Sequence, residues 1–165
     1  MIVLLALLND APIMTIAFDN VKASPSPDRW NMRSTLGVST VLGIIGVISS
    51  FGIFFLGKEV LHLDKEILQS FIYLKLSVAG HLTVFVARTK GHFWSVKPSR
   101  SLLGAVIATQ IIATFIVVYG FLLPAMGWNL ALFVWGYAIV AFLITDFLKV
   151  WYYKFMDHRL NTVSK

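Results

Sequence analysis

Residues 34–56 read STLGVSTVLGIIGVISSFGIFFL and contain no charged side chain. An α-helix rises about 1.5 Å per residue, so a helix of this length exceeds the roughly 30 Å hydrocarbon core of a bilayer. Buried helices of water-soluble proteins rarely need such a long uncharged run. The stretch therefore predicts a transmembrane helix, and the rest of the chain can be interpreted around it.

Small residues recur at helical spacing within this segment, at Ser39, Gly43, Gly46 and Ser50. Small side chains allow two transmembrane helices to approach closely, which favours a helix contact along this face. The alternative is an ordinary lipid-exposed helix that happens to be rich in glycine.

Four further apolar segments flank the first one, at 1–18, 68–87, 101–123 and 130–150. The segment 1–18 is short for a span, and it lacks the basic start and cleavage site of a secretory signal peptide. With residues 34–56, these segments predict an all-α fold: a polytopic membrane helical bundle of about five transmembrane helices. We expect a single membrane domain over residues 1–165.

The composition supports a membrane protein. Hydrophobic residues make up 58% of the chain and charged residues only 13%, and the mean hydropathy is +0.79. A typical soluble domain has about 25% charged residues. There is no cysteine, which excludes a disulfide scaffold, a thiolate nucleophile and a cysteine-based metal site. The apolar content also excludes a disordered chain.

The net charge of +6 is distributed unevenly along the chain. Of the fourteen Lys and Arg residues, eleven lie in the segments 19–33 and 88–100 and at the C-terminus, two lie in 57–67, and Lys75 lies inside a span. Because cytoplasmic loops of membrane proteins are rich in Lys and Arg, this distribution predicts a cytoplasmic C-terminus. The basic charge is then a topology signal, and we expect no nucleic-acid partner.

Asp10 is the leading candidate for a functional residue. A carboxylate within a membrane span is energetically costly, rare and by default a candidate functional residue. Pro12 lacks an N–H group, so the carbonyl of Leu8 loses its helical partner, and we expect the helix to open beside Asp10. Asn9 would share the opened region. The alternative is that Asp10 only forms a hydrogen bond with a neighbouring helix.

Four other polar residues lie within or near the spans and are candidates for polar support of the Asp10 site. Lys75 is expected to extend toward the outer surface, and His81 to bond a neighbouring helix or, less often, to relay protons. Gln110 is expected to link two helices, and Asp146 to pair with Lys149 three residues later on the same helix.

No motif for nucleotide binding, metalloprotease or serine-hydrolase chemistry is present. His92 and His158 lack the spacing of a ligand pair. We therefore expect no catalytic residues, no metal site and no cofactor in this chain.

Several runs of residues are similar to one family. Residues 7–16, LLNDAPIMTI, and the following DNVKASPSPDRW at 19–30 resemble the sixth transmembrane helix and next loop of the plasma-membrane proton-pumping P-type ATPases. FVART at 85–89, QIIATFIVVY at 110–119 and DFLK at 146–149 extend the resemblance over nearly the whole chain. The chain thus resembles transmembrane helices six to ten of that family. Family members usually have Gly-Thr where this chain has Ala11-Pro12.

The resemblance implies that Asp10 is the proton-binding carboxylate of a proton-exporting ATPase, with Asn9 and Pro12 shaping its site. It also implies a multi-pass protein of the plasma membrane. The phosphorylated Asp, the nucleotide-binding and actuator domains and the first five helices of that family are not in the chain. ATP and Mg²⁺ would belong to the full-length pump, and the chain alone should not hydrolyse ATP.

The expected partners are the lipid bilayer, the proton, and the remaining helices and cytoplasmic domains of the pump, so that the chain corresponds to the C-terminal transmembrane fragment of a larger protein. One alternative is a free-standing, non-enzymatic membrane scaffold or a subunit that complements a separate ATPase half. A passive proton or cation channel is a weaker third hypothesis.

Overall fold

A computed structural model describes residues 2–20 and 32–163, and within these ranges it leaves the side chains of 33, 34 and 157–163 undescribed. The proline-rich part of the predicted loop 19–33, with Lys22 and Arg29, therefore lies outside the described residues. The cytoplasmic position of the C-terminus stays a prediction.

Five α-helices make up the described part of the chain, and no strand occurs there. The all-α prediction is confirmed. The helices are α1 (Ile2–Thr15), α2 (Met32–Phe55), α3 (Lys65–Ala87), α4 (Arg100–Tyr119) and α5 (Gly127–Val163). A 3₁₀ turn, Ile16–Phe18, continues α1, and a π-helical turn, Leu56–Val60, continues α2.

Four helical segments of the described chain are long and apolar enough to cross a membrane: Thr35–Val60, Lys65–Ala87, Arg100–Tyr119 and Gly127–Met156. They correspond to four of the five predicted spans. The remaining one, Ile2–Phe18, is apolar but shorter. Whether it spans a bilayer by itself stays a prediction.

The fourth span ends earlier than the sequence indicates, at Tyr119 rather than at 123. Gly120 adopts the left-handed conformation, with φ +80°, and the N–H groups of Gly120 and Phe121 both donate to the carbonyl of Ile116. This closes the helix before Pro124 is reached, because the left-handed residue turns the chain away from the helix axis. α5 begins at Gly127 and extends well beyond the predicted end at 150.

α3 is the central helix of the bundle and packs against the other four helices. α1 contacts α3 and α4, whereas α2 contacts α3 and α5 on the other side. Phe71, Leu74 and Val78 of α3 are almost completely buried, as are Val117 of α4 and Val134 of α5. α1 and α2 are thus peripheral helices on opposite sides of a core built by α3, α4 and α5.

Of the four small residues expected at a contact face of α2, Ser50 accepts a hydrogen bond from Lys75 of α3, whereas the two glycines do not approach a neighbouring helix. A Cβ atom added to Gly43 or Gly46 would meet no described atom within 4 Å. The close approaches occur at Gly37 and Gly52, where the hydroxyl groups of Tyr152 and Tyr137 of α5 lie against the glycine. Tyr137 also donates to the Ser49 carbonyl at 2.8 Å. The predicted contact face is therefore wrong at Gly43 and Gly46.

Candidate functional site

Asp10 lies on the exposed side of α1. Leu8 and Pro12, four residues apart, form the buried side of this helix, while Leu7, Asp10 and Met14 point away from the bundle. Asp10 forms no hydrogen bond or ion pair with any described residue. Its carboxylate is thus an unpartnered charge on the surface of an apolar helix.

Asn9 is adjacent to Asp10 but points into the bundle. It lines a cavity of about 70 Å³ between α1 and α3, together with Pro12, Gly80 and His81. A Cβ atom on Gly80 would lie 3.2 Å from Asn9 Nδ2, so only glycine leaves comfortable room for this carboxamide. Asn9 Oδ1 is buried and has no hydrogen-bond partner among the described residues.

The expected opening of α1 beside Asp10 is absent. α1 remains helical through Pro12 to Thr15, and the Thr15 hydroxyl donates to the Pro12 carbonyl at 2.7 Å. Proline removes one helical N–H donor but does not by itself force unwinding, since it fixes φ near the helical value. Leu8 and Pro12 are both buried against the bundle within this continuous helix.

His81 is the centre of a buried polar cluster between α3 and α4. His81 Nδ1 lies 2.7 Å from the Ser77 carbonyl, and Nε2 lies 2.9 Å from Thr109 Oγ1. Gln110 Nε2 is 2.5 Å from His81 Nδ1 and donates to the Ser77 carbonyl at 3.1 Å. The expected link between helices through Gln110 is therefore present, and it includes His81 and Thr109.

Lys75 does not extend to the surface as expected. It is 2% exposed, and its ammonium donates to Ser50 Oγ of α2 at 2.5 Å. A cavity of about 50 Å³ adjoins it between α2, α3 and α5, and the Ser49 hydroxyl in its lining has no described partner. The Lys75 side chain is enclosed between α2, α3 and α5, although α3 has exposed residues elsewhere, such as Leu76 and Thr83.

Asp146 pairs with Lys149 at 3.0 Å, as predicted, and the pair is buried beside the C-terminal end of α3. Asp146 Oδ1 also accepts from the Phe93 N–H at 3.1 Å, and His92 Nδ1 lies 2.8 Å from Oδ2. Lys149 donates to the Val86 carbonyl at 2.9 Å. Asp146 therefore anchors the loop between α3 and α4.

A second anchor involves Asp19, which the sequence analysis missed. Asp19 pairs with Arg88 at 3.2 Å, both side chains being 5% exposed, and accepts from the Ser99 N–H at 2.8 Å. The available signal was an isolated acid directly after an apolar segment, in a chain whose basic loop 88–100 contains no acid of its own. The partners are too far apart in sequence for local patterns to join them.

The structure thus brings Asn9, Pro12, His81 and Gln110 into one region, and it places Asp10, Lys75 and Asp146 at three separate positions. Among residues 2–20 and 32–163, no group of three or more His, Asp or Glu side chains could hold a metal ion.

Comparison with known proteins gives a relative for most of the chain. It is 50% identical over 151 residues, 91% of this chain, to a protein of Methanocaldococcus jannaschii named "Putative cation-transporting ATPase". The chain spans 19% of the length of that relative. No family model matches the chain. The similarity fits the membrane part of an ATPase-related protein, without distinguishing a proton pump from other cation pumps.

Proposed function

We propose that this chain is the transmembrane part of an ATP-driven pump that exports protons, and that Asp10 is the carboxylate that binds the transported proton. The observation that carries the proposal is the unpartnered Asp10 on the exposed side of an apolar helix. An ionisable group within a membrane segment is costly and by default marks a candidate functional site.

The surroundings of Asp10 favour an interaction between this side of α1 and protein outside the described residues. The same side of α1 exposes Val3, Leu7 and Met14, so the helix has both a charge and an apolar surface left uncovered. The archaeal relative is about five times longer than the matched segment. Further helices of a longer protein would cover this side and supply polar groups to the Asp10 carboxylate.

Proton transport is favoured over transport of a hard metal cation. Ca²⁺ requires six to eight oxygen ligands, and no second carboxylate accompanies Asp10 on α1. A single carboxylate can carry a proton, because desolvation favours its neutral form and exposure to water or a cation favours its charged form. The resemblance of residues 7–16 to the proton-pumping family supports the same choice.

The other parts of the proposal follow from this assignment. Asn9 and Pro12 orient the helix that carries Asp10, while ATP and Mg²⁺ are bound by other parts of the full-length pump. The pump lies in the plasma membrane, as the resemblance implies, and its C-terminus is cytoplasmic, as the distribution of Lys and Arg favours.

A chimeric pump tests the proposal. The matching segment of the archaeal relative is replaced by this chain, the chimera is reconstituted into vesicles, and ATP-driven acidification is followed with a pH-sensitive dye. We expect Asp10→Asn to abolish acidification, because an amide cannot take up and release the proton. Asp64→Asn is the matched control, since Asp64 is exposed at the start of α3 and caps no N–H with its side chain.

Two outcomes would overturn the proposal. If Asp10→Asn pumps at the unmodified rate, the chain is a supporting scaffold for transport through other helices. If acidification is absent and ATP hydrolysis depends on added Na⁺, K⁺ or Ca²⁺, the transported ion is that cation.

A further inference from the structure

Lys75 is a buried cation inside the helix bundle. It lies near the midpoint of α3 and is 2% exposed. The cavity beside it is lined by α2, α3 and α5, and no described residue of α1 takes part in it. A charged side chain within a membrane segment is costly and is normally paired with another group. The surroundings of Lys75 therefore indicate which kind of partner the ammonium requires.

No described acid forms an ion pair with Lys75. On α2, the described side chains carry no ionisable group. On α3, Glu66 is exposed and lies nine residues away, near the start of the helix. On α5, Asp146 already pairs with Lys149 and His92. Within the part of the chain that the structure describes, the charge of Lys75 thus has no counter-charge.

The ammonium of Lys75 also has more donors than acceptors around it. It carries three N–H groups. One donates to Ser50 Oγ at 2.5 Å, and the Ser50 hydroxyl in turn donates to the Gly46 carbonyl at 2.8 Å. The other two N–H groups have no acceptor among the described residues. A ligand that accepts hydrogen bonds would satisfy them.

The Ser49 hydroxyl is a further unused donor at the same cavity. Its oxygen is buried and has no described partner, although the Ser49 carbonyl accepts from the Tyr137 hydroxyl at 2.8 Å. Ser49 of α2 and Lys75 of α3 both line the cavity, whose volume is about 50 Å³. Two helices thus bring a hydroxyl and an ammonium to one cavity.

The cavity extends from Lys75 toward the C-terminal end of α3. The residues of α3 that line it run from 75 to 86, which is about 16 Å along the helix. Thr83 and Thr145 line this part, and their hydroxyl groups donate to carbonyls of their own helices at 2.7 Å. Thr83 is exposed, so this end of the cavity gives a small ion access from the predicted cytoplasmic side.

A small anion matches these groups better than water does. Water accepts hydrogen bonds but leaves the Lys75 charge without a counter-charge, and an uncompensated charge in an apolar interior is costly. A halide ion accepts from several donors at once and balances the charge. The volume of about 50 Å³ exceeds the space that one water molecule needs, and chloride is only slightly larger than water.

We propose that the cavity beside Lys75 binds a monovalent anion of the size of chloride. The Lys75 ammonium and the Ser49 hydroxyl donate to the anion, which balances the buried charge and links α2 to α3. The site lies on the other side of α3 from α1, which carries Asp10. The inference is therefore independent of the proposed transport role of Asp10.

Thermal unfolding of the full chain in detergent micelles tests anion binding. Starting from a chloride-free sample, sodium gluconate is replaced by sodium chloride at constant ionic strength, because gluconate is too large for the cavity. A ligand of the folded state raises its stability, so we expect the unfolding midpoint to rise by about 3–5 °C for each tenfold increase in chloride above the dissociation constant. A midpoint that does not depend on chloride would overturn the proposal.

Variants assign the chloride dependence to this cavity. Lys75→Met keeps an unbranched side chain without the charge and should abolish the dependence. Ser49→Ala removes one donor and should weaken chloride binding about tenfold. Lys65→Met is the matched control, because Lys65 is an exposed lysine of the same helix. Unaltered chloride dependence in Lys75→Met contradicts the site, and if that variant does not fold, unaltered affinity in Ser49→Ala does so.

Bromide locates the anion. In crystals of the full chain grown with sodium bromide, we expect an anomalous peak between Ser49 and Lys75. Peaks confined to exposed basic residues of the loop 88–100 would show surface binding only and would overturn the proposal.

Nitrogen NMR of the lysine side chains tests the charge that the anion balances. Lys75 is assigned by the signal lost in Lys75→Met. We expect a charged ammonium at neutral pH in chloride. A neutral amine under these conditions would contradict the proposal, because it needs no counter-charge.

Discussion

Asp19 and Asp146 differ from Asp10 in every feature of their surroundings. Asp19 faces Arg88 and accepts from the Ser99 N–H, and Asp146 faces Lys149 and accepts from the Phe93 N–H. Both carboxylates are almost completely buried. Asp10 is exposed and has no partner among the described residues.

This difference separates two roles for an acid in an apolar protein. A buried carboxylate with a cation and a backbone donor holds two parts of the chain together, and removal of one partner leaves an uncompensated charge. An exposed carboxylate without partners contributes little to the stability of this chain. We therefore expect stability to depend on Asp19 and Asp146, and transport to depend on Asp10.

The largest expected effect on stability is that of Asp146→Ala. It leaves Lys149 buried without its carboxylate, and we expect a loss of about 3–5 kcal/mol in the free energy of unfolding. Denaturant unfolding of the chain in detergent micelles measures this loss. Asp64→Ala, at an exposed position, is the control. A loss below 1 kcal/mol in Asp146→Ala would mean that this cluster does not anchor the loop.

A smaller loss is expected for Arg88→Ala, about 2–3 kcal/mol, because Asp19 keeps its bond from the Ser99 N–H. The same unfolding measurement applies. Lys58→Ala breaks the exposed Lys58–Glu59 pair, which should cost less than 1 kcal/mol. Equal losses of unfolding free energy in Arg88→Ala and Lys58→Ala would mean that the buried ion pair stabilises this protein no more than the exposed one.

Ser99→Ala should cost about 1 kcal/mol. The Ser99 hydroxyl accepts from the Leu102 N–H at 3.2 Å and caps the first turn of α4. The Asp19 bond to the Ser99 backbone remains in this variant, so the cap is tested separately from the ion pair. Ser101→Ala, two residues later and exposed, should leave the free energy of unfolding unchanged.

The smallest effect on stability is expected for Asp10→Asn, within about 0.5 kcal/mol of the unmodified chain. The change removes a charge that contacts no described residue. Together with lost pumping in the chimera, unchanged unfolding would assign Asp10 to transport alone. A loss above 2 kcal/mol in the free energy of unfolding would mean that Asp10 stabilises the fold, as Asp19 and Asp146 do.

Part of the candidate site could be predicted from the sequence. Asp10 could be recognised from the local sequence alone, because it is a single acid within an apolar run. The Asp146–Lys149 pair follows from a spacing of three residues on one helix.

The environment of Lys75 could not be predicted in this way, since nothing in α3 alone shows that α2 and α5 enclose it. The opening expected beside Asp10 was wrong, since α1 stays helical through Pro12, whose fixed φ lies near the helical value.

The apolar runs by themselves determine that the chain is all-helical and where most of its membrane-crossing helices lie, because helix length and hydropathy are local properties. Only the tertiary structure decided which polar groups of different helices and loops meet. Asp19 and Arg88 are 69 residues apart, and His92 and Asp146 are 54 apart. Such pairs depend on the rotation of each helix about its axis, which is set by side-chain packing against its neighbours and not by the composition of the helix.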